Sequence, residues 1–380
     1  MISPNRFVGW VLKTGNCHFE SSAQKQQPIP RLMNKATTIA CLPVAGPDNP
    51  YQQLTIEGLN RNGPLEAFNG TDDKFLGILR TVLKYRPDYL HFDWIVSYYF
   101  RRWRWLTLLS VPLFCAQILL VRALGVKLVW TLHNILPHDL PMLPIHRFCQ
   151  RFLARRCEWV RVFAHNTVPR AASELRVMAS KFRVVPEGDY TSTYPDEVSQ
   201  AKAREKLQLP SSARIFLYCG LIKPYKGVLE LVKSFGEIQQ PNLFLLIAGK
   251  VMDEEYGRLI EEKLSPNVVF MNGYIAGSDL QYYFRAADLV VLPFRNIENS
   301  GSLVMAMGFA KPVIAPRRGV ILERLQQQDE WLYDDENEAG LEKKLRLAAT
   351  VPGSVLEAAG NRNFTALAKY AWEDFAILFP

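Results

Sequence analysis

Short apolar runs, most of them ending in a glycine or a polar tip, recur along the whole chain and leave few folds open to it. In the first half they are "ATTIACLPV" (36–44), "DYLHFDW" (88–94), "KLVWTLHN" (127–134), "VRVFAHN" (160–166) and "FRVVPEGD" (182–189). In the second they are "RIFLYCG" (214–220), "LFLLIAG" (243–249), "VVFMNG" (268–273), "LVVLPF" (289–294) and "PVIAP" (312–316). Runs this apolar and this short fit strands buried on both faces. Helical patterns lie between them, near residues 49–63, 73–85, 106–124, 228–238, 253–263, 278–286 and 302–310. Strand alternating with helix predicts a parallel sheet wound on both faces. The series runs twice, with the polar stretch "STYPDEVSQAKAREKLQLPSS" (192–212) as the join, and 380 residues suffice for two cores. Residues 1–35 read as irregular. Ligands of such sheets bind beyond the carboxyl ends of the strands, so two of them facing each other make a cleft.

Charge divides the halves. Residues 1–190 hold 24 Lys+Arg against 13 Asp+Glu, the remainder 21 against 24, and all six histidines precede residue 170. A basic half suits nucleic acid, an anionic membrane or an acidic substrate. No zinc-finger spacing or RNA-binding signature is present, which argues against nucleic acid. The basic residues come instead among tryptophans and leucines, as in "FRRWRWLTLLSV" (100–111), a mixture suited to a lipid interface. The most apolar segment, Leu106 to Val121, contains Pro112 and Gln117 and falls short of the roughly 20 residues a spanning helix needs. No transmembrane helix is expected, and the N-terminus shows no signal-peptide core. The six cysteines (17, 41, 115, 149, 157 and 219) include no CxxC and sit in apolar stretches, as buried thiols of a reducing compartment do. A cytoplasmic protein, peripheral on the inner face of the membrane, is the expectation.

The first strand of the second half leads into "GLIKPYKG" (220–227), placing Lys223 and Lys226 at the mouth of a helix. A helix start already carries partial positive charge and unpaired N–H groups, so lysines there call for an anion. "NSGSLVMAMGFA" (299–310) sets Ser300, Gly301 and Ser302 at another helix start, and glycines at 220, 249 and 273 would let a ligand approach the backbone. A diphosphate satisfies all of these groups.

The order of these motifs resembles GT-B glycosyltransferases, in particular glycosyltransferase family 4, from about residue 38 to the C-terminus. The matching residues are Gly220, Lys226–Gly227, Ala248–Gly249, Gly273 and "GFAKPVIAP" (308–316). The family's arginine after the first glycine is Leu221 here, and its two glutamates fall on Ile297 and Met305. Glu298 stands one residue from the first of those positions. With "RNIENSGS" (295–302) the chain is similar to a subgroup that builds bacterial exopolysaccharides and lipid-linked sugars.

The resemblance implies two Rossmann-like doubly wound parallel-sheet domains: an acceptor side over 1–190, a donor side over 191–365, and a terminal helix over 366–380, "YAWEDFAIL" included, crossing back. It implies transfer of a sugar from a UDP- or GDP-sugar to a hydroxyl of a glycan or lipid-linked acceptor. An inactive nucleotide-sugar or glycan-binding protein of the same fold is the alternative, because the glutamate pair is missing. On the donor side Gly220, Lys223, Lys226, Gly249, Tyr274, Arg295, Ser300, Gly301 and Ser302 would bind the nucleotide. On the acceptor side His133 matches the family's first-domain histidine; Asp93 or Asp139 would be the base if the reaction inverts, and Glu298 is a further candidate. Retention or inversion stays open. Glu187, in "PEGDY" (186–190), is expected only to line the cleft. No metal is expected, since lysines and helix N-termini neutralise a leaving diphosphate.

Overall fold

The computed structural model describes residues 36–46, 49–136, 141–238, 240–326, 328–334 and 339–380. The first sheet comprises β1 (Thr37–Leu42), β2 (Leu65–Asn69), β3 (Tyr89–Phe92), β4 (Lys127–Thr131), β5 (Trp159–Val162) and β6 (Phe182–Val184), all parallel, in the order β2-β1-β3-β4-β5-β6. Its helices are α1 (Pro50–Arg61), α2 (Gly77–Tyr85), α3 (Val96–Tyr99), α4 (Arg104–Ala123), α5 (Leu143–Ala154) and α6 (Thr167–Leu175). The second half begins with α7 (Gln200–Lys206) and alternates β7 (Arg214–Cys219), α8 (Val228–Gly236), β8 (Leu243–Gly249), α9 (Glu254–Glu261), β9 (Val268–Asn272), α10 (Leu280–Ala286) and β10 (Leu289–Val291). It continues through α11 (Gly301–Gly308), β11 (Val313–Pro316), α12 (Gly319–Arg324), β12 (Leu332–Tyr333), α13 (Gly340–Thr350) and α14 (Gly353–Leu367). Its parallel sheet has the order β12-β11-β10-β7-β8-β9. The stretch expected to join the halves lies between the sheets.

Each sheet reverses its direction of growth once, between β1 and β3 and between β7 and β10. These are the points where adjacent loops diverge and a crevice opens. Strands at the reversals are buried on both faces: His91 and Phe92 in β3, Leu217 and Tyr218 in β7.

Several expectations needed correction. β2 was not anticipated: its one fully buried residue, Ala67, sits among half-exposed neighbours at a sheet edge, so no continuous apolar run marks it. The expected final helix at 370–378 is a 3-10 segment, Trp372–Leu378, and it does return to the first sheet. There Phe375, Leu378 and Phe379 pack with Ile39, Cys41, Tyr89 and Val129. The apolar helix near 106–124 starts earlier than expected. α4 spans 20 residues and is long and apolar enough, by length and composition, to cross a membrane.

Glycines 227 and 249 owe their identity to the chain itself. A Cβ on Gly227 (φ +72°) would lie 1.9 Å from the Pro293 carbonyl oxygen, and one on Gly249 (φ +151°) 1.9 Å from that of Gly220. The approach is backbone to backbone, tighter than a ligand would require. Gly249→Ala is therefore expected to cost about 2 kcal/mol or more through clash and strain. Gly273→Ala, with nothing within 4 Å of the new methyl, should unfold like the parent. Paired urea melts check both.

Candidate active site

The reversal in the first sheet carries Asp93. Its N–H donates to Leu42 O (2.8 Å), tying the end of β3 to the end of β1. Trp130 Nε1 donates to the Asp93 carbonyl (3.2 Å) and Gln52 Nε2 to its Oδ2 (3.4 Å). Two residues past β4, His133 places Nε2 2.9 Å from Asp93 Oδ1. The imidazole is stacked on Trp94 (4.7 Å between centroids) and met edge-on by Tyr51 (4.9 Å), which fixes its plane. The Asp93 side chain is fully buried, whereas 12 % of the His133 side chain reaches solvent. Burial alone would raise the Asp93 carboxyl, but His91, His133 and Arg161 outweigh it and hold the group below its ordinary range. His91, which bonds Thr131 Oγ1 (2.8 Å), is driven down to about 4 by burial and is neutral at pH 7.

A buried, ionised carboxylate that can only accept a hydrogen bond fixes the proton of His133 on Nε2. The ring nitrogen left to act as a base is Nδ1. Asp93, expected as a base in its own right, is placed behind the histidine and cannot meet a bulky acceptor. Asp139 and His138 lie outside the described residues.

The reversal in the second sheet carries the lysines. After β7, Gly220 and Leu221 lead to Lys223 and a 3-10 turn, Pro224–Lys226, with left-handed Gly227 opening α8. The Lys226 ammonium lies 4.1 Å from the centre of the Phe294 ring and 5.3 Å from that of Tyr225. Arg295 N donates to Tyr225 O (3.0 Å), closing the loops after β7 and β10 on each other. Burial, then the charge of Lys223, lowers the Lys226 amine to about 8. Ser300 caps α11 by accepting from Leu303 N (3.1 Å), and Ser302 Oγ donates to Cys219 O (3.1 Å). Both hydroxyls thus have structural partners, and the first-turn N–H groups of α11 are what this segment offers an anion. Tyr274, after β9, is exposed, and the Arg295 guanidinium pairs with Glu230.

The two sides also touch. Glu298 is buried, with Oε1 2.6 Å from Arg170 Nη2 and Oε2 accepting from Thr167 Oγ1 (3.4 Å); burial raises its carboxyl despite Arg170. It bridges the halves. So does Glu323 of α12, whose carboxylate accepts from His165 N (2.8 Å) and Asn166 N (2.7 Å) at the start of α6. That pairing was not visible in sequence, because 158 residues separate the partners. Glu187 is buried and bonds Tyr190 (2.8 Å) and Asn299, a part in the packing beyond lining the cleft. Among the described residues no group of three His, Cys, Asp or Glu side chains is placed to hold a metal ion.

Residues 199–359 match the family model described as "Glycosyl transferases group 1". The two parallel six-stranded sheets of this topology give the chain a GT-B-like fold, and its second half resembles that glycosyltransferase family. Among curated relatives it is 28% identical over 275 residues to the GDP-mannose:glycolipid 4-beta-D-mannosyltransferase of Xanthomonas campestris pv. campestris, covering 69% of this chain and 72% of that one. It is 24% identical to the lipopolysaccharide 1,2-N-acetylglucosaminetransferase of Salmonella typhimurium over 55% of this chain and 58% of that one. Among solved structures it resembles Anabaena Alr3699/HepE in complex with UDP and glucose (TM-score 0.68, 16% identity, covering 89% of this chain and 97% of that one). Sucrose-phosphate synthase from Thermosynechococcus elongatus gives 0.67 at 18% identity, covering 90% of this chain and 96% of that one.

Lys226 supplies a pH test of whether this end of the second sheet binds a diphosphate. A lysine lowered to about 8 is charged at neutral pH and loses its proton as pH rises through that value. Below about 8 the buried charge opposes folding; between there and the ordinary lysine range the unfolded chain holds more protons, so stability rises with pH. Affinity for a nucleoside diphosphate should move the other way, falling about tenfold or more between neutral pH and the ordinary lysine range as the charge is lost. Calorimetric titration across that range should show the fall in the parent and a much flatter profile in Lys226→Met. Equal profiles would remove Lys226 from the diphosphate site.

Proposed function

We propose that the chain transfers a hexose from a nucleoside-diphosphate sugar to a hydroxyl of a lipid-linked glycan, with inversion at the anomeric carbon and without a metal. The observation that carries the mechanism is the 2.9 Å bond between His133 Nε2 and the buried Asp93 carboxylate. It supports a base whose Nδ1 takes the acceptor hydroxyl's proton as that oxygen attacks the anomeric carbon. The bond from that carbon to the diphosphate oxygen breaks, and the leaving group departs with its electron pair. Lys226, Lys223 and the N-terminus of α11 would offset its charge. Asp93 is a positioning residue: its anion favours the imidazolium formed in the step.

The Xanthomonas relative is named for GDP-mannose and a glycolipid, and its name specifies a beta product. GDP-mannose is therefore the donor to test first, with UDP-sugars next, and a lipid-linked saccharide the acceptor to offer. Membership of glycosyltransferase family 4 is likewise a reading, resting on the order of the second-half motifs.

The test is turnover of GDP-mannose with a lipid-linked saccharide, followed by release of nucleoside diphosphate and by NMR of the new linkage. A beta linkage from an alpha donor is expected; an alpha linkage would overturn the base assignment. His133→Ala should lower kcat by about 10²- to 10⁴-fold with Tm close to the parent's. Asp93→Asn should also lower kcat, with the acceptor KM changing little, since it acts through His133. A variant that melts much earlier yet keeps its specific activity would make the pair structural.

A further inference from the structure

α4 is built inside out. Its outward stripe reads Trp105, Leu108, Leu109, Pro112, Ala116, Leu119, Leu120 and Ala123, all exposed, and the five large side chains among them are between 49% and 63% exposed. Its inward stripe includes the buried polar residues Thr107, Ser110 and Gln117 beside Phe114, Ile118 and Val121. An ordinary surface helix has these faces the other way round. The inner face is fixed to the protein by bonds: Gln117 Oε1 accepts from Leu79 N (3.1 Å), its Nε2 donates to Phe75 O (2.8 Å), and Thr107 Oγ1 accepts from Arg101 N (3.0 Å). A helix tied down along its length lies on the surface instead of crossing a bilayer.

We propose that this face docks on an anionic lipid bilayer. Charge selects that occupant. Arg102 and Arg104 precede the stripe and Arg122 closes it; Trp103 and Trp105 beside the first pair are 60% exposed. Beside α4, a groove along α5 and the end of α6 is lined by Arg147, Arg151, Arg155, Arg156 and Arg176, with Phe148 and Phe152. α5 packs against α4 on one side and α6 on the other, so the groove lies beside the helix that carries the stripe. Glu174 pairs with Arg147 (2.7 Å) and Arg151 (3.3 Å), and Glu158 with Arg122 (2.8 Å). Among the described residues five arginines line the groove and Glu174 pairs with two of them. Leucines enter the acyl boundary, tryptophans settle at the headgroup level and arginines meet phosphates. A second copy of the chain fits less well: a two-fold pairing through α4 would bring both arginine groups together.

Flotation on a density gradient tests this with the full chain. It should rise with phosphatidylglycerol–phosphatidylcholine vesicles, stay down with phosphatidylcholine alone, and be partly released by salt. The combined change Leu108→Gln, Leu109→Gln, Leu119→Gln and Leu120→Gln should abolish flotation. Its sites are all exposed, and an unchanged thermal melt confirms that it folds. Arg155→Gln with Arg176→Gln should weaken partitioning about tenfold or more. A parent that stays down with anionic vesicles, or floats equally with neutral ones, overturns the proposal. So does a dimer that the leucine variant dissociates while its flotation is unchanged.

Discussion

One buried cation, Arg161, ties the first sheet to α1 and to the returning C-terminal segment. Arg161, on β5, is 1% exposed and among the described residues faces no carboxylate at hydrogen-bond distance. Its Nε donates to Val185 O (2.7 Å), Nη2 to Pro186 O (3.0 Å) and Nη1 to Tyr51 Oη (2.5 Å). The guanidinium also lies 4.3 Å from the Phe375 ring centre and 4.8 Å from that of Phe163. Its contacts thus gather the exit of the first sheet, the start of α1 and the returning C-terminal segment. A planar, always-charged fork can meet two carbonyls and an aromatic face together, which an ammonium cannot. The same charge helps keep Asp93 ionised, so packing and chemistry share one residue.

The two sheets put opposite chemistry at equivalent places. Where the first reverses, between β1 and β3, a buried anion orients an imidazole. Where the second reverses, between β7 and β10, a half-buried ammonium sits over an aromatic ring. Each group is unfavourable where it stands unless a partner is supplied, and the fold supplies only one of them. Asp93 has His133; among the described residues Lys226 forms no ion pair, and burial, then the charge of Lys223, reduces its basicity.

The strands and the two crevices were legible because both-face burial writes itself as continuous apolar runs, and because strand tips need polar or flexible residues. The places of Lys226, Gly227 and His133, just past strand ends, were legible for that reason. What escaped was whatever depends on a distant partner. Gly249 looked like room for a ligand, and the carbonyl filling that room belongs to Gly220, 29 positions earlier. Ser300 and Ser302 looked like anion donors, yet one caps its helix and the other bonds Cys219. Asp93 and His133 were each visible, but their bond crosses 40 residues. α4 was misjudged in length because Arg104 and Trp105 open it, and no composition rule places an arginine and a tryptophan inside a helix rather than before it.

The contacts between the halves differ in how easily water can replace them. His165 and Asn166 are exposed, so when the Glu323 carboxylate lets go, solvent at once takes over both amides. That clasp is cheap to undo and remake. Glu298 is another matter: sealed from solvent, it must find a proton or a path to water before Arg170 can leave it. Separation of the halves therefore has an easy catch at Glu323 and a stiff bolt at Glu298; burial raises the Glu298 carboxyl, so the closed arrangement holds a proton more readily than the open one and acidification favours it. The contact loosens as pH rises and the buried carboxyl loses its proton, with no change in either sheet.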